Sequence, residues 1–347
     1  MKRLAPDEQD ARYLRRLILT IFVIAVAVSI YLSLDLLILA FGSMLGAITI
    51  HALADLYEHR LHVPKRAAVP MGMLSVVAAV AFLVWLVAWQ FGEQINTLVT
   101  ALPGLLQKLE HSMSQSPVGA KIVDAVTAAF AGSRIAKDAA GLLKGSVELL
   151  LNFILLIVGA LFLAADPGIY KRGFLLLIPQ SKRAAFSDAL EDTADTLRLW
   201  LRAQLIQMTT MGVMVGVGLA IADVPSAAAL GFLAALSEFI PYVGPTAAML
   251  PALGLAATQS NNALIGALVV YLVVRLIQSN FITPYVTARV IAIPPAMTLF
   301  TIIAIGMVFG LFGLFFSAAL LVVFFTLIRS LYLREVLGED IPPPQKE

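Results

Sequence analysis

Long stretches without a single Asp, Glu, Lys or Arg dominate this chain: Leu17 to Leu34, Leu36 to Ala54, Ala67 to Gly92, Leu149 to Ala165 and Ala203 to Ala222. A hydrocarbon layer of about 30 Å takes roughly 20 apolar residues in helical form, because no water is there to satisfy backbone N–H and C=O groups. Each of these stretches fits about one crossing. Two others, Phe239 to Val274 and Val290 to Ile328, are far too long for a single crossing and carry Pro and Gly inside them, so each is expected to hold more than one helical piece. Composition agrees, with 60% hydrophobic residues and 13% charged ones, against about 25% charged in a soluble domain. The fold class is therefore all-α: a polytopic bundle of transmembrane helices, with Pro/Gly-broken or re-entrant helices in its C-terminal half.

The same composition excludes several functions. A net charge of +2 with no basic cluster in a soluble domain gives no footprint for nucleic acid. Cysteine is absent, which removes disulfides, thiolate metal sites, iron–sulfur ligation and thiol nucleophiles together. Leu17 to Leu34 is longer than the apolar core of a signal peptide and runs on to a second apolar stretch, so it is expected to be retained as a first helix.

Lys and Arg in the short connections set the expected orientation. Lys2, Arg3, Arg12, Arg15 and Arg16, then Arg60, Lys65 and Arg66, then Lys171, Arg172, Lys182, Arg183, Arg198 and Arg202 all fall on one side. The opposite turns, around Asp35, Asp223 and Ser260 to Asn262, hold none. This places the N-terminus in the cytoplasm, and Arg329 with Arg334 places the C-terminus there too. Three parts are expected: residues 1–92 with three transmembrane helices, an extracytoplasmic amphipathic arm at 93–146, and a transport core at 147–347 that includes a cytoplasmic amphipathic segment at about 167–200.

The arm sets Ile95, Leu98, Val99, Leu102, Leu105, Leu106 and Leu109 on one helical face and repeats the habit with Ile122, Val126, Phe130, Leu142 and Leu143. Such a pair either lies on the membrane surface or packs against a neighbouring subunit or over a pore mouth. In the cytoplasmic segment, Phe186, Leu190 and Leu197 mark an apolar face, with Asp188, Glu191, Asp192 and Asp195 on faces read as solvated.

Chemistry concentrates in the second half. Glu238-Phe239-Ile240-Pro241-Tyr242-Val243-Gly244-Pro245 puts one carboxylate beside two prolines in otherwise apolar sequence. Proline removes a backbone donor and clashes with the preceding turn, so the helix is expected to break at Pro241 and Pro245. Non-helical backbone at membrane depth survives only where protein buries it or water lines it. Further breaks are expected at Ile282-Thr283-Pro284-Tyr285 and at Pro294-Pro295. Paired interruptions of this kind point to a substrate site built from discontinuous helices, although prolines also kink helices for packing alone.

Arg275 lies on a stretch that is otherwise apolar up to Gln278 and Asn280. A charge at such depth costs a few kcal/mol even on lenient scales and generally finds a partner in the bundle interior. Glu238 is the nearest candidate. The two either pair around a transport cavity or form a snorkelling pair that only pins helices together. Gln204 and Gln207, with Thr209 and Thr210, make a further polar strip that either lines a path or joins helices by hydrogen bonds. Gly42 with Gly46, Gly212 with Gly216, and Gly306 with Gly310 recur at the four-residue spacing of close helix packing, and Gly306, Gly310 and Gly313 lie where a bend or hairpin would fall. Glu58, His59 and His62 cluster without a good fourth metal ligand, and no Ser/His/Asp set or phosphate-binding glycine loop occurs. No cofactor, metal or enzymatic chemistry is expected.

The Glu238 to Pro245 segment followed by Pro251, then Gln278 to Pro284, Pro295 and the run Gly306, Gly310, Gly313, resembles the autoinducer-2 exporter family of membrane transporters. The resemblance extends over nearly the whole chain, including the outer arm and the stretch from Asp166 to Pro179. Ser317-Ala318-Ala319-Leu320 departs from it, standing where the family carries a proline. The resemblance implies about eight transmembrane helices, a homo-oligomer in the inner membrane, and export of a small polar solute, with the quorum-sensing signal autoinducer-2 as namesake. It also leaves room for a sodium or lithium/proton antiporter, while a passive oligomeric channel is the alternative from another class. On this reading the expected partners are the lipid bilayer, the solute and a coupling cation or proton. The transport pathway is expected at Glu238, Pro241, Tyr242, Gly244, Pro245, Arg275, Gln278, Asn280, Pro284 and Gln204, and helix packing at Gly212, Gly216, Gly306, Gly310 and Gly313.

Overall fold

The computed structural model describes residues 8–90, 121, 147–287 and 293–339, and these are helical with no strand among them. The amphipathic arm expected at 93–146 lies outside the described residues apart from Lys121. In chain order the helices are α1 (Glu8–Leu32), α2 (Leu34–Leu61), α3 (Lys65–Gln90), α4 (Val147–Ala165), α5 (Pro167–Leu176), α6 (Arg183–Ile221), α7 (Ala227–Ser237), α8 (Val243–Gln259), α9 (Asn261–Ile277), α10 (Thr283–Thr287) and α11 (Pro295–Leu327). Among the described residues five helices are long and apolar enough to cross a membrane, or six with the bent pair α4–α5. The chain is a multi-pass membrane protein.

Local chemistry sets the joints. The α4–α5 bend of 87° falls at Asp166, whose carboxylate accepts from Ile169 N at 3.2 Å while Pro167 starts α5; this is an N-cap followed by proline at the first helical position. α6 is one helix of 39 residues, so the amphipathic segment and the Ala203 to Ala222 span are continuous rather than separate elements. No Gly or Pro occurs from Arg183 to Met211 to end it.

Two cores form around α6. Its C-terminal half packs on α7, α8 and α9 through Met211, Val215, Leu219, Leu230, Ala234, Ala252, Ala267 and Tyr271. Its N-terminal half packs on α2 and the second half of α11 through Leu197, Trp200, Phe316 and Val322. Gly212 and Gly216 lie on the α6–α7 crossing. Their partner is Gly231, where an added Cβ would come within 2.7 Å of Gly212 O and Gly216 Cα. Gly42 and Gly46 do the same for α2, against Phe316 and Ala160.

α11 is not one straight rod. Gly310 has φ 66° and ψ −145°, a conformation essentially restricted to glycine. Beyond it a Cβ at Gly313 would lie 2.5 Å from Ile305 O, whereas eight residues of straight helix separate backbone atoms by about 12 Å. The chain therefore reverses sharply at Gly310 into a helical hairpin. Gly306 and Gly313 are buried beside the turn. Helix continues through Ser317, whose hydroxyl donates to Leu314 O at 2.7 Å, so the missing proline there leaves no bend.

Candidate functional site

α7 ends at Ser237 and α8 begins at Val243, so the helix breaks where Pro241 stands. A run of short turns carries the reversal: Ile240 N donates to Ser237 O at 3.0 Å, Val243 N to Pro241 O at 2.7 Å and Gly244 N to Ile240 O at 2.9 Å. Tyr242 adopts φ 64°, an uncommon conformation for a bulky side chain. At Gly244 a Cβ would run into the Ser237 carbonyl, so only glycine lets α8 start so close to the end of α7. The break expected at Pro245 does not occur: Pro245 is buried in the first turn of α8, where its missing N–H is tolerated.

This reversal holds Glu238 in the interior, with its side chain 8% exposed. Three neighbours meet it. Gln204 Nε2 on α6 donates to the Glu238 backbone carbonyl at 2.8 Å. Gln278 Nε2, in the turn after α9, donates to Glu238 Oε1 at 2.7 Å. Arg275 Nη1, one turn earlier, approaches the same Oε1 at 3.9 Å, an ion pair too long to be a hydrogen bond. Arg275 and Gln278 are three residues apart and so share one helical face. Glu238 Oε2 and Gln278 Oε1 are buried with no hydrogen-bond partner among the described residues. An unsatisfied buried carboxylate oxygen is costly.

Proline 284 does not break the helix. After α9 the chain widens into a π-helical turn, Gln278–Ile282, and continues into α10, with Thr283 N donating to Gln278 O. The expected interruption at Ile282 to Tyr285 is corrected accordingly: the π turn absorbs the proline's missing donor and bulk without ending the helix. It also aims Gln278 inward and Asn280 outward. Asn280 is exposed and donates to Leu276 O at 2.8 Å, so it stands apart from Glu238. Pro284 is the second residue of α10, which begins at Thr283, and Thr283 Oγ1 donates to Gln207 Oε1 at 3.3 Å. Thr209 and Thr210 return their hydroxyls to carbonyls of their own helix.

Two cavities flank the reversal. A cleft of 380 Å³ is lined by Met211, Pro245, Thr246, Met249, Leu268, Val269, Tyr271, Leu272 and Arg275. A wider one of 610 Å³, bounded by α2, α4, α6 and the hairpin of α11 through Gly42, Gly46, Phe153, Phe239 and Phe315, has no charged residue among the described residues of its wall.

Sequence reasoning missed a second polar cluster. Asp192, read as solvated, accepts from Ser330 Oγ at 2.8 Å and from Arg334 at 2.9 Å. This ties the N-terminal half of α6 to the end of the chain after α11. Neighbouring pairs join Arg198 to Asp195 at 3.2 Å and Lys171 to Glu191 at 2.6 Å. The i, i+4 step from Ser330 to Arg334 was the only available signal.

The sequence profile of the AI-2E transporter family matches residues 19–333. Among its relatives, YtvI of Bacillus subtilis (strain 168), a candidate transport protein, is 28% identical over 258 residues, covering 71% of this chain and 67% of its own. YrrI of the same organism, another candidate transport protein, is 26% identical over 153 residues, which is 44% of this chain and 43% of the relative's length. PerM of Escherichia coli (strain K12), a candidate permease, is 21% identical over 261 residues, or 71% of this chain and 73% of its own. The match thus spans less than half of YrrI and more than two thirds of YtvI and PerM.

Proposed function

The chain belongs to the AI-2E transporter family and is a membrane transporter rather than an enzyme, and from that premise we propose that its solute passes beside Glu238, Arg275, Gln278 and Gln204. The observation that carries this reading is the Glu238 carboxylate, buried at a broken helix with Oε2 lacking a hydrogen-bond partner among the described residues. A structural ion pair gains little from such burial, because desolvation offsets most of the attraction. Intramembrane ionisable groups of this kind mark transport paths by default. Pro241, Tyr242, Gly244 and Pro245 shape the reversal that presents the acid, and Gln204 and Gln278 hold its ends.

The protein acts as a secondary exporter of a small polar solute, with an autoinducer-2-like signal the family's namesake substrate. It works in the inner membrane as a homo-oligomer. The Lys/Arg distribution supports cytoplasmic termini. Solute counterflow in proteoliposomes tests the site. Glu238→Gln is expected to lower flux by about tenfold or more while the protein still folds, and unchanged flux would defeat the assignment.

The unpaired Oε2 also favours a second reading, cation/proton antiport with Glu238 as the exchanging carboxylate. Sodium- or lithium-triggered proton release, followed with a trapped pH dye and abolished by Glu238→Gln, would support it. Silence under both cations would rule it out.

A further inference from the structure

The cleft between α6, α8 and α9 combines features that the transport reading alone does not require. Its wall is apolar, formed by Met211, Met249, Leu268, Tyr271 and Leu272, and its one charged group is Arg275. The guanidinium carries five N–H donors. The described residues give it one approach, the 3.9 Å ion pair to Glu238 Oε1, and no hydrogen bond. Gln278 Nε2 occupies the same Oε1 at 2.7 Å, so the carboxylate's closest partner is the amide and not the cation. The Arg275 side chain remains 39% exposed, on a helix whose neighbouring faces are apolar. A guanidinium there is left with unmet donors next to an apolar surface.

We propose that this cleft is a binding site for a small organic monoanion, a carboxylate on an apolar body, with Arg275 as its anchor. The inference rests on the transport reading of the site and replaces its small polar solute with one that is polar only at a single anionic end. A carboxylate matches the planar fork of arginine in two parallel hydrogen bonds. The charge is limited to one, because Glu238 stands 3.9 Å from the same cation and repels a second negative charge. The body is apolar because the described residues of the wall offer no free hydroxyl donor: Tyr271 Oη donates to Ala248 O at 3.2 Å and Thr246 Oγ1 to Tyr242 O at 2.8 Å. Pro245 and Thr246 bring the positive end of α8 to the cleft, though its first N–H groups are already taken by Ile240 and Pro241 carbonyls. That helix end adds a dipole and not a donor. The volume of 380 Å³ lies at the small end of ligand pockets and fits a benzoate-sized molecule.

The experiment uses the full chain in detergent and follows thermal unfolding with sodium benzoate or its neutral isostere benzamide at matched ionic strength. Benzoate is expected to raise the unfolding temperature and benzamide to have no effect. In Arg275→Gln the half-saturating benzoate concentration should rise about tenfold or more, with partial recovery in Arg275→Lys. Leu272→Trp, which fills the cleft and keeps the cation, should weaken benzoate as well and stands in if Arg275→Gln does not fold. Equal stabilisation by benzamide, or benzoate binding indifferent to both variants, overturns the site. Phosphatidylglycerol added to the micelle separates a free anion from a lipid head group: Arg275-dependent stabilisation by the lipid that excludes benzoate overturns the proposal in favour of the lipid. Benzoate flux into proteoliposomes separates the two readings. Binding without any flux defeats the transport reading and leaves the site, whereas flux of other solutes without benzoate binding defeats the site alone.

Discussion

Among the described residues, two of the sharp chain reversals between apolar helices touch each other. One is the turn at Glu238 to Tyr242, the other the hairpin at Gly310. Phe239 from the first stacks on Phe315 from the second, with centroids 4.0 Å apart and planes at 6°. Trp200 meets Phe239 edge-on at 5.5 Å. Both turns depend on glycine, Gly244 where α8 passes the end of α7, and Gly310 at positive φ. Yet the first buries a carboxylate with an arginine and two glutamines, while the second is lined by Phe, Leu and small residues. A broken helix is therefore not in itself a site. What separates the two is the presence of groups whose burial is unfavourable unless something is gained from it.

The contrast can be broken or sharpened by substitution. The largest effect is expected from Gly244→Ala, where the new Cβ meets the Ser237 carbonyl and cannot be relieved by a side-chain rotation; a loss of about 3 kcal/mol or more should appear as failure to purify a folded protein. Gly310→Ala forces alanine into a glycine-only conformation at a cost of about 1–3 kcal/mol, read by thermal unfolding. Flux per folded molecule should stay near wild type, because the apolar turn carries no solute. If flux falls as far as it does in Glu238→Gln, the two turns are not functionally distinct. Gly231→Ala should loosen the α6–α7 crossing by about 1–2 kcal/mol, checked by the same melt. The smallest effect belongs to Asp192→Asn, about 1 kcal/mol, since its charged partner Arg334 is partly exposed and the amide can still accept from the buried Ser330 hydroxyl. Shortening the chain before Ser330 should then remove the remaining sensitivity at Asp192.

The sequence made the polar turn readable because proline and glycine have fixed backbone consequences and an acid in an apolar run has few places to go. Glu238, Pro241 and Gly244 are of that kind, and so is Arg275 on its apolar helix. Pro284 misled for a physical reason: a proline can be absorbed by a π turn as well as by a break, and local sequence does not say which. That same turn decides that Gln278 faces Glu238 and Asn280 faces outward, two residues that look alike in the sequence. Gly231 was invisible because a single glycine has no spacing pattern, although it is what Gly212 and Gly216 pack against. Asp192 was hidden by distance, with its partners well over a hundred residues away. Gly306, Gly310 and Gly313 mark in the sequence both a packing seam and the place of a bend, and the positive φ of Gly310 shows which of the three turns the chain.

If solute passes beside Glu238, the polar turn meets water during the working cycle and the apolar turn does not. Because the chain has no cysteine, single cysteines at Gln278 and Ser317 can be compared without background, both positions being buried in the structure. A membrane-impermeant maleimide applied to each face of sealed vesicles is predicted to label Gln278→Cys, more slowly when transported solute is present, and to leave Ser317→Cys unlabelled. Equal labelling at the two positions, or a Gln278→Cys that stays inert from both faces, would contradict it.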